Sequence, residues 1–183
     1  MMTNEMNSPK AKLTPGFWVL TLMVFVAAFV RLLPHPPNFA PIAAMALFGG
    51  AYFSKKSFAF IIPLVALFLS DVVIGIYSYA WMVYLSFALI VVLGIVMLKK
   101  VSIKNLIFAS ITASVSFFAI TNFGVWALGT LYPKTPEGLL ASYTAAIPFF
   151  QYSLLGDLFF VGMMFGVYEL VKHKVPLLAK VKA

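Results

Sequence analysis

Six apolar runs, most of them close to the roughly twenty residues that cross a hydrocarbon core, leave this chain little choice of solvent. They occupy residues 17–33, 40–54, 57–78, 80–98, 104–129 and 145–171. Inside a bilayer every backbone N–H and C=O must be satisfied without water, so such runs fold as helices. Hydrophobic residues make up 63% of the 183 and charged residues 10%, too few to coat a water-soluble core of that size. The fold class predicted is therefore all-α integral membrane, with six transmembrane helices at 17–171, a polar tail at 1–16 and a basic tail at 172–183. Five apolar runs follow the first, so the amino-terminal segment reads as a retained signal-anchor rather than a cleaved signal peptide. The chain has no cysteine, which excludes disulfides, thiolate metal sites and cysteine nucleophiles.

The basic residues are not scattered. Lys10 and Lys12 precede the first run, Lys55 and Lys56 separate the second and third, and Lys99, Lys100 and Lys104 separate the fourth and fifth. Lys172, Lys174, Lys180 and Lys182 follow the sixth, leaving Arg31 and Lys134 for the other side. Cytoplasmic loops of membrane proteins carry the lysine and arginine excess, so this alternation predicts cytoplasmic termini and a multi-pass protein of a bacterial cytoplasmic (inner) membrane. The net charge of +8 is explained by that bias, and nucleic acid is excluded as a partner.

The second run, APIAAMALFGGAYF, is short and rich in small residues. Ala40 and Ala44 stand four apart, as do Ala46 and Gly50, a spacing that lets helices approach closely; a half-helix or re-entrant segment is the competing reading. Between the fifth and sixth runs lies a long connection, GTLYPKTPEGLLASYTAA. Thr135, Pro136 and Glu137 read there as a helix start, with a side-chain cap, a proline in the first turn and an acid at the positive dipole end. A short interfacial helix, either a lid or a surface element, is expected at that point.

Polar residues within the runs mark the candidate site, because ionisable groups inside a membrane are costly unless they are paired or wetted. At about 1.5 Å per residue, Arg31 and Asp71 both lie roughly 21 Å from the lysine-rich side, and Asn122 lies near 24 Å. Gln151 falls at a similar height and Asp157 nearer mid-membrane. His35 and Asn38 sit in the proline-broken turn RLLPHPPNFAP above them. The expected layer is a pocket in the outer half. Arg31 would hold an anionic or carbonyl group by a forked hydrogen bond or pair with Asp71, and Asn38, Asn122 and Gln151 offer both donors and acceptors. Tyr77, Tyr79, Trp81, Tyr84, Trp126, Tyr132 and Tyr152 share that level, as stacking surfaces or as an interfacial aromatic belt. The inner half shows no comparable layer, which argues for capture rather than passage. No histidine or carboxylate keeps metal-ligand spacing, and neither a metal nor another cofactor is expected.

The motif RLLPHPPNFAPIAAMALFGG, with FLSDVVIG, TNFGVWALG and SLLGDLFF, resembles an uncharacterised family of small six-helix bacterial membrane proteins. That family is in turn similar to the substrate-binding S components of energy-coupling factor transporters. The resemblance implies a vitamin- or micronutrient-binding subunit that delivers to a transmembrane coupling subunit with ATPases. A cobalamin-binding subgroup would place His35 and Asp71 in its site, but the cobalt-coordinating cysteine of that subgroup has no match here. The Ala-xxx-Ala docking face usual on the first helix of S components is also missing. Ala40 and Ala44, or Ala109 and Ala113, are the substitutes.

The function expected is membrane-embedded binding of a small solute, without catalysis. Two alternatives stay open on the residues alone. One is a membrane enzyme working on a lipid-like substrate through Asp71, Asp157 or His35, although no nucleophile–base pair stands out. The other is a structural or assembly protein whose polar groups only lock helices together.

Overall fold

The computed structural model describes residues 14–76 and 78–175. Within them the regular elements are six α-helices: α1 (Pro15–Val30), α2 (Ile42–Tyr52), α3 (Lys56–Ile74), α4 (Ala80–Met97), α5 (Ile103–Leu128) and α6 (Pro136–Lys174). Lys10, Lys12, Tyr77, Lys180 and Lys182 lie outside the described residues.

Helix starts follow local chemistry. Thr14, Ser102 and Thr135 each accept a hydrogen bond from the backbone N–H three residues on, capping α1, α5 and α6. Gly75 ends α3 with φ of +115°, a conformation that side chains with a Cβ resist.

Apolar side chains fill the core and also cover the outside. Large apolar side chains face outward from every helix except α2, among them Leu22, Val73, Leu85, Phe108 and Leu170. A continuous apolar exterior of this kind belongs in lipid. Four helices, α3 to α6, are long and apolar enough to cross a membrane.

The other two helices are shorter. α1, at sixteen residues, reaches about 24 Å, and α2, at eleven, only about 16 Å. α2 is the half-helix. It is also the hub, since it packs against all five other helices and buries every residue from Ala43 to Gly50. Glycine makes the closest of these approaches possible: a Cβ on Gly94 of α4 would stand 2.7 Å from the Leu47 carbonyl oxygen of α2, and Gly50 is similarly pressed against α4.

The predicted separate interfacial helix is instead the start of α6. Thr135 caps as expected, but the helix then runs unbroken for 39 residues, about 58 Å, through Pro148. Proline is tolerated inside such a helix because neighbouring groups re-satisfy the freed carbonyl. Early α6 lies along α5 rather than across a pocket as a lid: the Tyr143 hydroxyl donates to the Ala119 carbonyl at 2.7 Å, and the Ser142 hydroxyl to the Asn122 carbonyl at 3.0 Å.

Candidate ligand cavity

Arg31 follows the last residue of α1, and its guanidinium reaches across to α3. One nitrogen donates to Asp71 Oδ1 at 2.8 Å, and the other to the Ser70 hydroxyl and towards the Leu67 carbonyl. The second Asp71 oxygen accepts the Tyr84 hydroxyl of α4 at 2.9 Å. Arg31 and Asp71 side chains are only 10% and 4% exposed. Three elements are thus tied by one charge pair whose hydrogen-bonding capacity is largely taken up, the condition under which a buried ion pair is tolerated.

Beside this lock opens a cavity of about 570 Å³. Its walls come from the 31–43 segment, the α3–α4 turn, the end of α5 and the middle of α6. Arg31, His35, Asn38, Asn122 and Asp157 all line it, with Tyr79, Thr121 and Ser153. Apolar walls come from Met82, Val83, Val125 and two phenylalanine pairs, Phe117 with Phe118 and Phe149 with Phe150. Phe118 and Phe150 rings stand 4.9 Å apart.

Each polar group has a defined stance. His35 Nδ1 lies 2.7 Å from the Leu33 carbonyl; a carbonyl only accepts, so in the neutral ring Nδ1 carries the proton and Nε2 is left as acceptor. Asn38 holds φ at +64°, the left-handed region that asparagine enters more readily than most residues. The Asn122 amide donates to the Phe118 carbonyl at 2.8 Å, which fixes its orientation. Asp157 lies at the floor. It accepts from Ser114 of α5 at 2.6 Å and faces the backbone N–H of Ala43 in the first turn of α2. The residue preceding that turn is Pro41, which gives α2 no side-chain cap. The Asp157 carboxylate therefore lies where the positive end of the helix favours an anion.

Asp71 and Tyr84 stand behind Arg31 in the lock and do not line the cavity. Gln151 is exposed on the outside of α6. Trp126 braces the α5–α6 connection, donating to the Pro133 carbonyl at 2.9 Å, while Lys134 donates to the Trp126 and Gly129 carbonyls. Of the aromatic residues expected at this level Tyr79 lines the cavity, whereas Trp81 and Tyr152 face outward. Stacking surface comes instead from phenylalanines. Among the residues proposed for docking, Ala44, Ala109 and Ala113 are fully buried within the bundle and Ala40 is half-buried, lining the cavity.

The chain belongs to a family of unknown function (DUF6580). The family's profile matches residues 11–178, nearly the whole chain and all six helices. No curated protein and no solved structure matches it.

Polarity does not stop at the floor. Ser110, one turn beyond Ser114, is fully buried, and its hydroxyl has no hydrogen-bond partner among the described residues. At the lysine-rich end a second cavity is lined by Tyr52, Lys99, Ser102, Glu169, Lys172 and His173. Leu158 lines that cavity while its neighbour Asp157 lines the first. These groups lie in the half where the sequence shows no layer comparable to the first. Among the described residues no three His, Asp or Glu side chains gather as a metal site.

Proposed function

We propose that this protein is a membrane-embedded substrate-binding subunit for uptake of a small heterocyclic micronutrient. In this reading the chain makes six passes of a bacterial cytoplasmic membrane. The lysine-rich end faces the cytoplasm by the positive-inside rule, and the 570 Å³ cavity opens outward. The loop ahead of α2 carries the chain through the depth that the half-helix does not cover.

One observation carries the reading: polar side chains from four separate segments converge on a mostly apolar cavity whose floor is tied shut by Asp157 and Ser114. Convergent polar groups on apolar, aromatic walls are the usual make-up of a small-molecule site, and the volume falls within the roughly 300–1,000 Å³ such sites span. Arg31 and Asp71 set the position of the wall, while Asn38, Asn122, Ser153 and His35 meet the ligand. A cavity of this size suits a vitamin-sized ring system between the phenylalanines. Delivery to a coupling subunit with ATPases would need a docking face other than Ala44, Ala109 and Ala113, because the bundle already occupies them.

The test is a thermal-shift screen of detergent-purified protein against vitamins, their precursors and corrinoids, since a ligand that binds only the folded state raises Tm. A hit is expected to vanish in Asn122→Leu and Ser153→Leu, which alter the cavity and leave the Arg31–Asp71 lock intact. A folded protein that answers no member of a broad panel would overturn the proposal.

A carrier is the second reading, favoured by the inner cavity beginning one residue from Asp157. It requires the Asp157–Ser114 floor to open.

A further inference from the structure

The second cavity, about 910 Å³, lies where the α4–α5 turn, the first turns of α5 and the last turns of α6 part at the lysine-rich end. Its mouth is cationic. Lys99, Lys172 and His173 stand there, and α5 begins at the same place with no acidic residue in its first turn, so the positive end of its dipole is uncompensated. Among the described residues lining the groove the one carboxylate, Glu169, is held aside by its own partners, the Tyr52 hydroxyl at 2.7 Å and Lys172 at 3.2 Å. Further in, the walls become wholly apolar, with Ile107, Leu158 and Phe165. Gly162 and Gly166, one turn apart on α6, complete the slot, and a Cβ at either would meet nothing within 4 Å.

We propose that this groove binds one anionic phospholipid, its phosphate at Lys99, Lys172 and the start of α5, and an acyl chain in the slot along Gly162 and Gly166. The two halves of the groove match the two halves of an amphiphile. Basic pockets between membrane helices at the cytoplasmic side suit phosphate headgroups, and the slot runs from the headgroup level towards the middle of α6. A soluble anion would leave the apolar half unexplained. The proposal needs only that the lysine-rich end lies at a lipid surface, and is independent of solute capture.

The test compares phosphatidylglycerol with phosphatidylcholine of the same acyl chains on the purified full chain, by native mass spectrometry and thermal shift. One phosphatidylglycerol is expected to be retained and to raise Tm. Lys99→Gln with Lys172→Gln is expected to weaken retention about tenfold or more. Lys55→Gln with Lys56→Gln removes the same charge at the same end outside the groove, and is expected to leave retention unchanged. Gly162→Leu, which fills the slot without altering charge, is expected to lose the lipid; Gly162→Ala serves if the leucine variant fails to fold. Equal retention of the two lipids, equal loss from both lysine pairs, full competition by glycerol phosphate, or undiminished binding with the slot filled would each overturn the proposal.

Discussion

Asp71→Ala isolates what the charge pair contributes. The Arg31 side chain is 10% exposed in the parent, and the substitution leaves it the Ser70 hydroxyl and the Leu67 carbonyl but not the Asp71 counter-charge. Stranding one partner of a buried pair costs about 3–5 kcal/mol. For a chain of this length each kcal/mol moves Tm by roughly 2–4 °C, so a fall of about 6–20 °C is expected in detergent. Removing both charges is a different perturbation. Arg31→Leu with Asp71→Leu, plus Tyr84→Phe to remove the hydroxyl that donates to Asp71, exchanges the network for apolar contact, which is often neutral or stabilising. The triple variant should therefore melt well above Asp71→Ala. The assay is thermal unfolding followed by intrinsic tryptophan fluorescence, with helicity checked before heating. Asp71→Ala within about 2 °C of the parent, or a triple variant at least as unstable as Asp71→Ala, would refute the lock as described.

Other perturbations probe separate parts of the structure. Tyr84→Phe alone removes a hydroxyl donated to a carboxylate and should cost about 1.5–3 kcal/mol, read as a lowered Tm with the helical spectrum retained. Gly94→Ala places a methyl 2.7 Å from the Leu47 carbonyl oxygen and should cost about 1–3 kcal/mol; an unchanged Tm would mean that α2 and α4 are not in backbone contact. Because the chain has no cysteine, Ser110→Cys gives a single thiol between the two cavities. Under the capture reading it resists water-soluble thiol reagents from both sides, whereas labelling from the lysine-rich side would favour the carrier.

The helices were legible wherever an apolar run met lysine, as at Lys55 and Lys99; the third, expected to reach 78, ends at Ile74 because Gly75 breaks it. The length of α6 was not legible, because Thr135, Pro136 and Glu137 read as the start of a separate short helix, whereas that helix continues without a break into the sixth run. Arg31, Asn122 and Asp157 were legible together because polar groups within apolar runs have few places to go, and His35 and Asn38 because their turn follows Arg31 directly. Gln151 was misplaced by judging depth without phase. At about 100° per residue it lies about 120° around α6 from Asp157, whereas Ser153 lies about 40° away and Phe150 about 20°. The same arithmetic, anchored on Asp157, would have drawn Ala146, Phe150 and Ser153 to the cavity wall and Gln151 to the outside. Contacts that cross helices, such as Tyr84 to Asp71 and Ser114 to Asp157, have no periodic signature.

The half-helix explains why a cavity exists and why it lies at one end. An eleven-residue helix covers about 16 Å of a hydrocarbon core roughly 30 Å thick, so the bundle lacks one helix above its start. The proline-rich 31–41 segment occupies part of that space, and the remainder is the cavity. The same geometry dictates the floor. A helix beginning inside the bundle presents unsatisfied N–H groups where water is scarce, and Pro41 has no side-chain acceptor to offer. The carboxylate of Asp157 faces the first turn from α6 and is itself held by Ser114 of α5. Shortening α2 thus creates both the cavity and the need for an acidic group beneath it. Placing a polar residue at that depth of α6 follows from where α2 begins.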